Sequence, residues 1–155
     1  MIQVADQRCA QGVRAYPAVE RIFHSALPPH ERFLSYDRYW SYYQEEARLP
    51  DTEPFYRYAL AAPQLQGGLV DLAIRAFLAL YGTGYARVDI RMEARTSVLY
   101  VLEVNANCGL SSDHETSVGQ ILRLAKVPIY QLIASILEDA LVRFQSTGQP
   151  QGHGQ

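Results

Sequence analysis

The chain has 155 residues with 14 basic and 16 acidic side chains, a net charge of −2 and a pI near 6.1, so no clustered positive surface argues for nucleic acid. Its apolar fraction of 48% supports a packed core, and a domain of this length buries roughly 70% of its unfolded surface without disulfide staples. No run approaches the ~20 apolar residues of a membrane span, and Met1–Gly12 lacks the order of a signal peptide. Cys9 and Cys108 have no metal-type spacing, so a reducing cytoplasm is the expected setting. Within the basic count, 13 residues are arginine and one, Lys126, is lysine. Chemistry that needs several lysines cannot be run by this chain alone.

The first sixty residues read as short strands and loops. Arg14 to Phe23 alternates loosely and predicts one strand, closed by the Pro28-Pro29 break. Phe33 to Tyr43 carries Tyr36, Tyr39, Trp40, Tyr42 and Tyr43, an aromatic stretch that net charge −2 assigns to packing rather than base stacking. A polar loop, Arg48 to Pro54, leads to a short strand at Phe55 to Leu60. From Pro63, apolar residues Leu65, Leu69, Leu72, Ala76 and Leu80 recur at helical steps up to a stop at Gly82. Two strands follow, Tyr85 to Met92 and Val98 to Ala106, around the turn Glu93 to Ser97. A helix is expected from about Glu115 to Ala125. Another begins at Pro128, with Ile129, Leu132, Ile133, Ile136, Leu137, Ala140, Leu141 and Phe144 as one core-facing stripe. Gln145 to Gln155 is Gln/Gly/Ser/Pro-rich and predicts a disordered tail after a domain spanning 1–144. The pattern is α+β, strands flanked by helices.

The hairpin carries the chemistry. Alternation puts Arg87, Asp89 and Arg91 on one face of the first strand, opposed by Val88 and Ile90, and Glu103 with Asn105 on one face of the second. With the turn centred near Thr96, Asp89 lies opposite Glu103. Like charges across a ladder are unfavourable unless a cation sits between them or solvent screens them. Asp, Glu and Asn offer oxygen ligands only, which suits Mg²⁺ rather than zinc. The plain alternative is a solvated face on which both carboxylates pair with Arg87 and Arg91. The loop Asn105-Ala106-Asn107-Cys108-Gly109-Leu110-Ser111-Ser112 favours a phosphate and metal site, because Gly109 lets the backbone approach a ligand and aim an N–H at it.

Gly84-Tyr85-Ala86-Arg87-Val88-Asp89, a polar turn and Leu102-Glu103-Val104-Asn105-Ala106-Asn107-Cys108-Gly109-Leu110-Ser111 resemble the ATP-grasp ligases, most closely the C-terminal part of D-alanine–D-alanine ligases. The resemblance runs from about Arg14 to Arg143. It implies an ATP-grasp C-terminal subdomain with a mostly antiparallel sheet, and a reaction in which ATP phosphorylates a carboxylate that an amine then attacks. Implied cofactors are ATP and Mg²⁺, with Mn²⁺ as a substitute. Implied metal ligands are Asp89, Glu103 and Asn105, with Glu103 bridging two ions. Arg87 and the Gly109 amide would stabilise the oxyanion, and Arg38, Asn107, Ser111 and Ser112 would contact nucleotide or substrate.

Three departures qualify that picture. The family's N-terminal substrate domain and first ATP-grasp half, which supply phosphate-binding lysines, the adenine hinge and a glycine-rich lid, have no counterpart in the sequence. Lys126 reads as an ordinary helix-end charge. Tyr39 stands where the family usually has a lysine, with Arg38 beside it as a substitute of different reach. Asp113 adds negative charge after Gly109 and puts D-alanine in doubt as acceptor, while Cys108 stands where proline is common. The expected partners are nucleotide and small carboxylate and amine substrates, an N-terminal half supplied in trans, or a second copy of the chain. A non-catalytic remnant serving as an interaction module is the alternative. Cys108 near His114 suggests a thiol nucleophile only weakly, and a cysteine filling a tight loop is the preferred reading. His24, His30 and His153 are isolated and receive no role.

Overall fold

A computed structural model describes residues 2–9, 12–34, 54–112 and 116–147. Six strands form one antiparallel sheet: β1 (Ile2–Cys9), β2 (Gly12–Ala15), β3 (Val19–Phe23), β4 (Tyr56–Leu60), β5 (Tyr85–Met92) and β6 (Leu99–Ala106). The order is β4-β3-β1-β5-β6, with β2 paired to β1. Helices α1 (Pro63–Ala79), α2 (Ser117–Ala125) and α3 (Ile129–Thr147) pack on it. The expected α+β class holds. No single described helix is long and apolar enough to cross a membrane.

The sheet divides the core in two. On one face Val88 and Ile90 of β5 meet Leu69 and Ala73 of α1, with Ala18 and Ala61 between them. On the other, Val19 of β3 and Tyr16 meet Val118, Ile121 and Leu122 of α2 and Leu132 of α3. The single strand expected over Arg14 to Phe23 is two strands, broken at Tyr16-Pro17-Ala18. Proline has no N–H for a ladder, and Gln66 of α1 takes over as partner for the neighbouring peptide. Its Oε1 accepts from Ala18 N at 2.8 Å and its Nε2 donates to Ala18 O at 2.9 Å. β1, unread in the sequence, is the middle strand of the path.

The helix ends follow capping rules. α1 closes with Gly82 N donating to Phe77 O at 2.9 Å and Tyr81 in the left-handed region at φ 53°, so the stop lies one residue before the predicted glycine. Gly82 is needed for another reason: a Cβ there would lie 2.4 Å from the Phe77 ring. α2 begins after Thr116, whose hydroxyl accepts from Gly119 N at 3.0 Å. Lys126 takes the left-handed cap at its other end, exposed as expected.

Two expectations at the C-terminus need correction. The apolar set of α3 is not one core stripe: Leu132 is buried and Ile129 and Ile136 pack beside it, but Ile133, Leu137, Leu141 and Phe144 are exposed. The inward row runs on from Leu132 and Ile136 to Asp139, a buried carboxylate that accepts from Arg143 Nε at 2.8 Å and Gly84 N at 3.3 Å. A stripe wider than one row therefore overhangs the sheet. Also, α3 begins at Ile129, just after Pro128, and continues to Thr147, three residues into the predicted tail. The rest of that tail, like the aromatic stretch from Ser35 onward, lies outside the described residues.

Candidate functional site

The alternation of β5 settles which side chains reach the site. Val88 and Ile90 are sealed against α1, which turns Arg87 and Asp89 to the opposite face. On β6 the register brings Glu103 opposite Asp89 and Asn105 opposite Arg87, as the spacing predicts. Past Asp89 the register shifts by one: Ile90 pairs with Val101, leaving Leu102 as a bulge.

Asp89 is almost wholly buried, its side chain 4% exposed, while the facing Glu103 side chain is 57% exposed. The cation between them is Arg87. Its Nε donates to Asp89 Oδ1 at 2.8 Å and its Nη2 to Oδ2 at 2.9 Å, and Nη2 lies 3.8 Å from Glu103 Oε1. Asn105 Nδ2 donates to Glu103 Oε1 at 2.8 Å and to Asp89 Oδ2 at 3.3 Å. The solvated-face alternative thus has one part right and one wrong. Arg87 does pair with the carboxylates, but Arg91 instead reaches Arg32 O at 3.4 Å, and Asp89 is not solvated.

The two carboxyl groups titrate in opposite directions. Burial pushes Asp89 above its ordinary value, with Arg87 pulling it back only in part. The Asn105 amide, then Asp89 itself, hold Glu103 below its ordinary value. The two carboxyl groups also act on each other, the pairing raising Asp89 and lowering Glu103. For Arg87, burial opposes the charge, but the hydrogen bond to Asp89 and the surrounding negative groups outweigh it and raise its pKa.

The loop after β6 is tied back to this cluster. Tyr85, on the Arg87 face of β5, donates its hydroxyl to Cys108 O at 2.8 Å. Asn107 makes the turn in the left-handed region at φ 56°. Cys108 is a half-buried free thiol packed beside the α2–α3 core, and burial raises its pKa, chiefly against a lowering by Arg87. Its packing against that core is what a loop-filling cysteine makes, and His114 lies outside the described residues. Gly109 is exposed, and a Cβ on it would meet nothing within 4 Å. Ser111 is drawn toward α2 because its carbonyl accepts from the Thr116 hydroxyl at 3.5 Å. Ser112 is exposed. Arg38, Tyr39, Asp113 and His114 lie outside the described residues. The structure therefore brings together Arg87, Asp89, Glu103 and Asn105, with Asn107 and Gly109 on the loop tethered beside them. Tyr85, the anchor of that loop, went unread although it shares the alternation of Arg87 and Asp89.

Among the described residues, no group of three or more His, Cys, Asp or Glu side chains forms a metal cage. Two facing carboxylates and an amide nonetheless fit a hard cation that takes its remaining ligands from substrate phosphates and water. Asn105 presents its amide nitrogen to the carboxylates, so serving as a ligand requires a flip that brings Oδ1 inward.

A carboxylate-bearing hairpin on an antiparallel sheet with helices on both faces is the C-terminal subdomain fold of the ATP-grasp enzymes. More narrowly, the chain belongs to the D-ala D-ala ligase C-terminus family, which it matches over residues 24–138. The crystal structure of D-alanine–D-alanine ligase from Bacillus anthracis complexed with ATP superposes with a TM-score of 0.60 at 16% identity, covering 95% of this chain and 40% of that one. A second structure of the Bacillus anthracis enzyme gives a TM-score of 0.60 at 17% identity, covering 95% and 42%. The chain thus spans about two-fifths of the ligases it superposes on. No curated protein matches at the sequence level.

Proposed function

We propose that the chain carries the metal-binding and oxyanion-stabilising part of an ATP-dependent carboxylate–amine ligase. The observation that carries this reading is the Asp89–Glu103 pair, set opposite each other with Arg87 and Asn105 on both carboxyl groups. In such a reaction a carboxylate oxygen takes the γ-phosphoryl group of ATP, releasing ADP. An amine then attacks the acyl carbon, and phosphate leaves as the amide forms. Asp89, Glu103 and Asn105 would hold Mg²⁺, or Mn²⁺ in its place, with Glu103 the more open of the two carboxylates. The metal supplies charge neutralisation on the β- and γ-phosphates.

The chain's own residues supply the rest. Arg87 is locked by its fork onto Asp89, so its position is set before charge develops on the reacting carbonyl. The Gly109 N–H, on the loop that Tyr85 tethers, is the second donor for that oxyanion. Asn107, Ser111 and Ser112 on the same loop, and Arg38, are the proposed contacts to nucleotide and substrate. Lys126, at the far end of α2, takes no part. The nucleotide's other contacts come from a polypeptide region beyond these 155 residues or from a second chain, in a cytoplasmic setting.

The test is Mn²⁺ binding to the 155-residue chain by water-proton relaxation, with and without ATP, in the wild type, Asp89→Ala and Glu103→Ala. ATP-enhanced binding of Mn²⁺, lost in both variants, is expected. Equal relaxation in all three proteins would overturn the assignment and favour a module without a metal site. Mg²⁺-dependent ADP release on adding the complementary ligase region and both substrates is the further expectation.

A further inference from the structure

We propose that α3 carries a self-complementary docking face, on which a second copy of this chain seats antiparallel about a two-fold axis at Leu137. The row that overhangs the sheet is a stripe in its own right. Tyr130, Ile133, Leu137, Leu141 and Phe144 are each between 42% and 76% exposed. Around the helix they lie within about 40° of Leu137, whereas the inward row of Leu132, Ile136 and Asp139 is centred about 130° away.

Three observations commit this face to a copy of itself. The first is its spacing, which reads the same from either end. About Leu137, Ala134 and Ala140 stand three residues out, Ile133 and Leu141 four, and Tyr130 and Phe144 seven. Each position is matched by its own kind: alanine by alanine, branched aliphatic by branched aliphatic, aromatic by aromatic. Two antiparallel copies therefore set Leu137 against Leu137, Ile133 against Leu141 and Tyr130 against Phe144, as an isologous contact demands. The exposed alanines on either side of the axis let the two helices approach closely.

The second is area. At about 200 Å² for a large apolar side chain, these exposures leave about 600 Å² on one chain, along about 21 Å of helix. That is the upper end of what a monomer shows as one patch. Pairing two copies covers up to about 1,200 Å², the lower limit of a specific interface, so the dimer is a weak one with a micromolar Kd. The third is the border. Gln131, Glu138 and Gln145, all exposed, run along the stripe on the side away from the inward row. They form the polar rim of a protein contact, whereas a lipid-binding face would carry Lys and Arg there. The contact needs neither metal nor nucleotide, so its failure and the failure of the ligase reading are separable.

Sedimentation velocity of the 155-residue chain, from low micromolar to millimolar concentration, tests the pairing. A concentration-dependent rise to the dimer mass is expected. Ile133→Glu and Leu141→Lys should each weaken it at least about tenfold, and mixing the two variants should restore dimers, because the antiparallel register sets position 133 against 141. Tyr81→Glu, on an exposed residue just past α1, should leave the association unchanged. Thermal melts of the α3 variants at dilute concentration should match the wild type, since both positions are exposed in the single chain. A chain that stays monomeric throughout would overturn the proposal, leaving the face to the complementary ligase region or to the aromatic stretch from Ser35 onward. A dimer that both variants leave intact, or that mixing does not restore, would overturn it as well.

Discussion

Replacing Arg87 by alanine separates the two jobs its side chain does. Among the described residues it is the only cation on Asp89, whose side chain is 4% exposed, and it bonds both carboxyl oxygens at 2.8 and 2.9 Å. Removing one member of a buried pair leaves an uncompensated charge, which costs about 3 kcal/mol. With a urea m-value of about 2 kcal/mol/M for a domain of this size, the midpoint should fall by about 1.5 M. The pH dependence is the sharper part. Asp89 already titrates above its ordinary value because burial outweighs its pairing, and both lowering influences come from Arg87. Without Arg87 the folded carboxyl moves higher still. Below the wild-type folded value Asp89 is neutral in both proteins and the loss is small. The loss grows as pH rises from there toward the variant's higher value, and is constant at its full size above that. Urea melts of the wild type, Arg87→Ala, Asp89→Asn and the double variant, from acid to neutral pH, measure this. Asp89→Asn should rescue most of the Arg87→Ala loss at neutral pH. A loss below about 0.5 kcal/mol, or one equal at all pH values, would refute the reasoning.

Gly82→Ala should destabilise the chain by about 1–3 kcal/mol through overpacking, since its Cβ meets the buried Phe77 ring at 2.4 Å; thermal melts read this, and Phe77→Leu should recover part of it. Gly109→Ala, with nothing within 4 Å of its Cβ, should leave the melt within about 0.5 kcal/mol of wild type. Mn²⁺ affinity, followed by relaxation against pH, should weaken as pH falls through the raised Asp89 value, because the pair must release a proton to take a metal; Asp89→Asn should remove that dependence along with most of the affinity. On α3, Leu137→Glu on the exposed row should change stability by less than about 0.5 kcal/mol, whereas Leu132→Ala should cost about 2–5 kcal/mol by denaturant melts.

The hairpin was legible because its information is local. Two alternating runs and a short turn leave little choice of partner, and Asp89 opposite Glu103 followed directly. β1 was not legible because its pairing is remote. Ile2–Cys9 mixes polar and apolar residues, and it becomes a strand by pairing with β2, β3 and β5. The inward row of α3 was misread because its periodicity continues through Asp139, a polar residue buried by a partner, Gly84, fifty-five positions away. Arg21 had no sequence signal, as one arginine on a short strand looks like any surface charge. It is in fact buried on β3 and donates to Tyr58 and Ser117, partners that only the folded sheet and helix bring to it.

The bulge at Leu102 makes the site depend on residue count as well as residue identity. Val101 pairs with Ile90 on the α1 side, Glu103 pairs with Asp89 on the other, and the exposed Leu102 is a spacer between them. Deleting Leu102 would leave both pairings possible in an unbroken ladder and would remove the local bend that sets the angle of the Glu103 carboxylate. Every functional side chain would survive such a deletion while the aim of one changed. In variants of this hairpin, a gap of one residue is therefore a change of site geometry, with the same standing as a substitution.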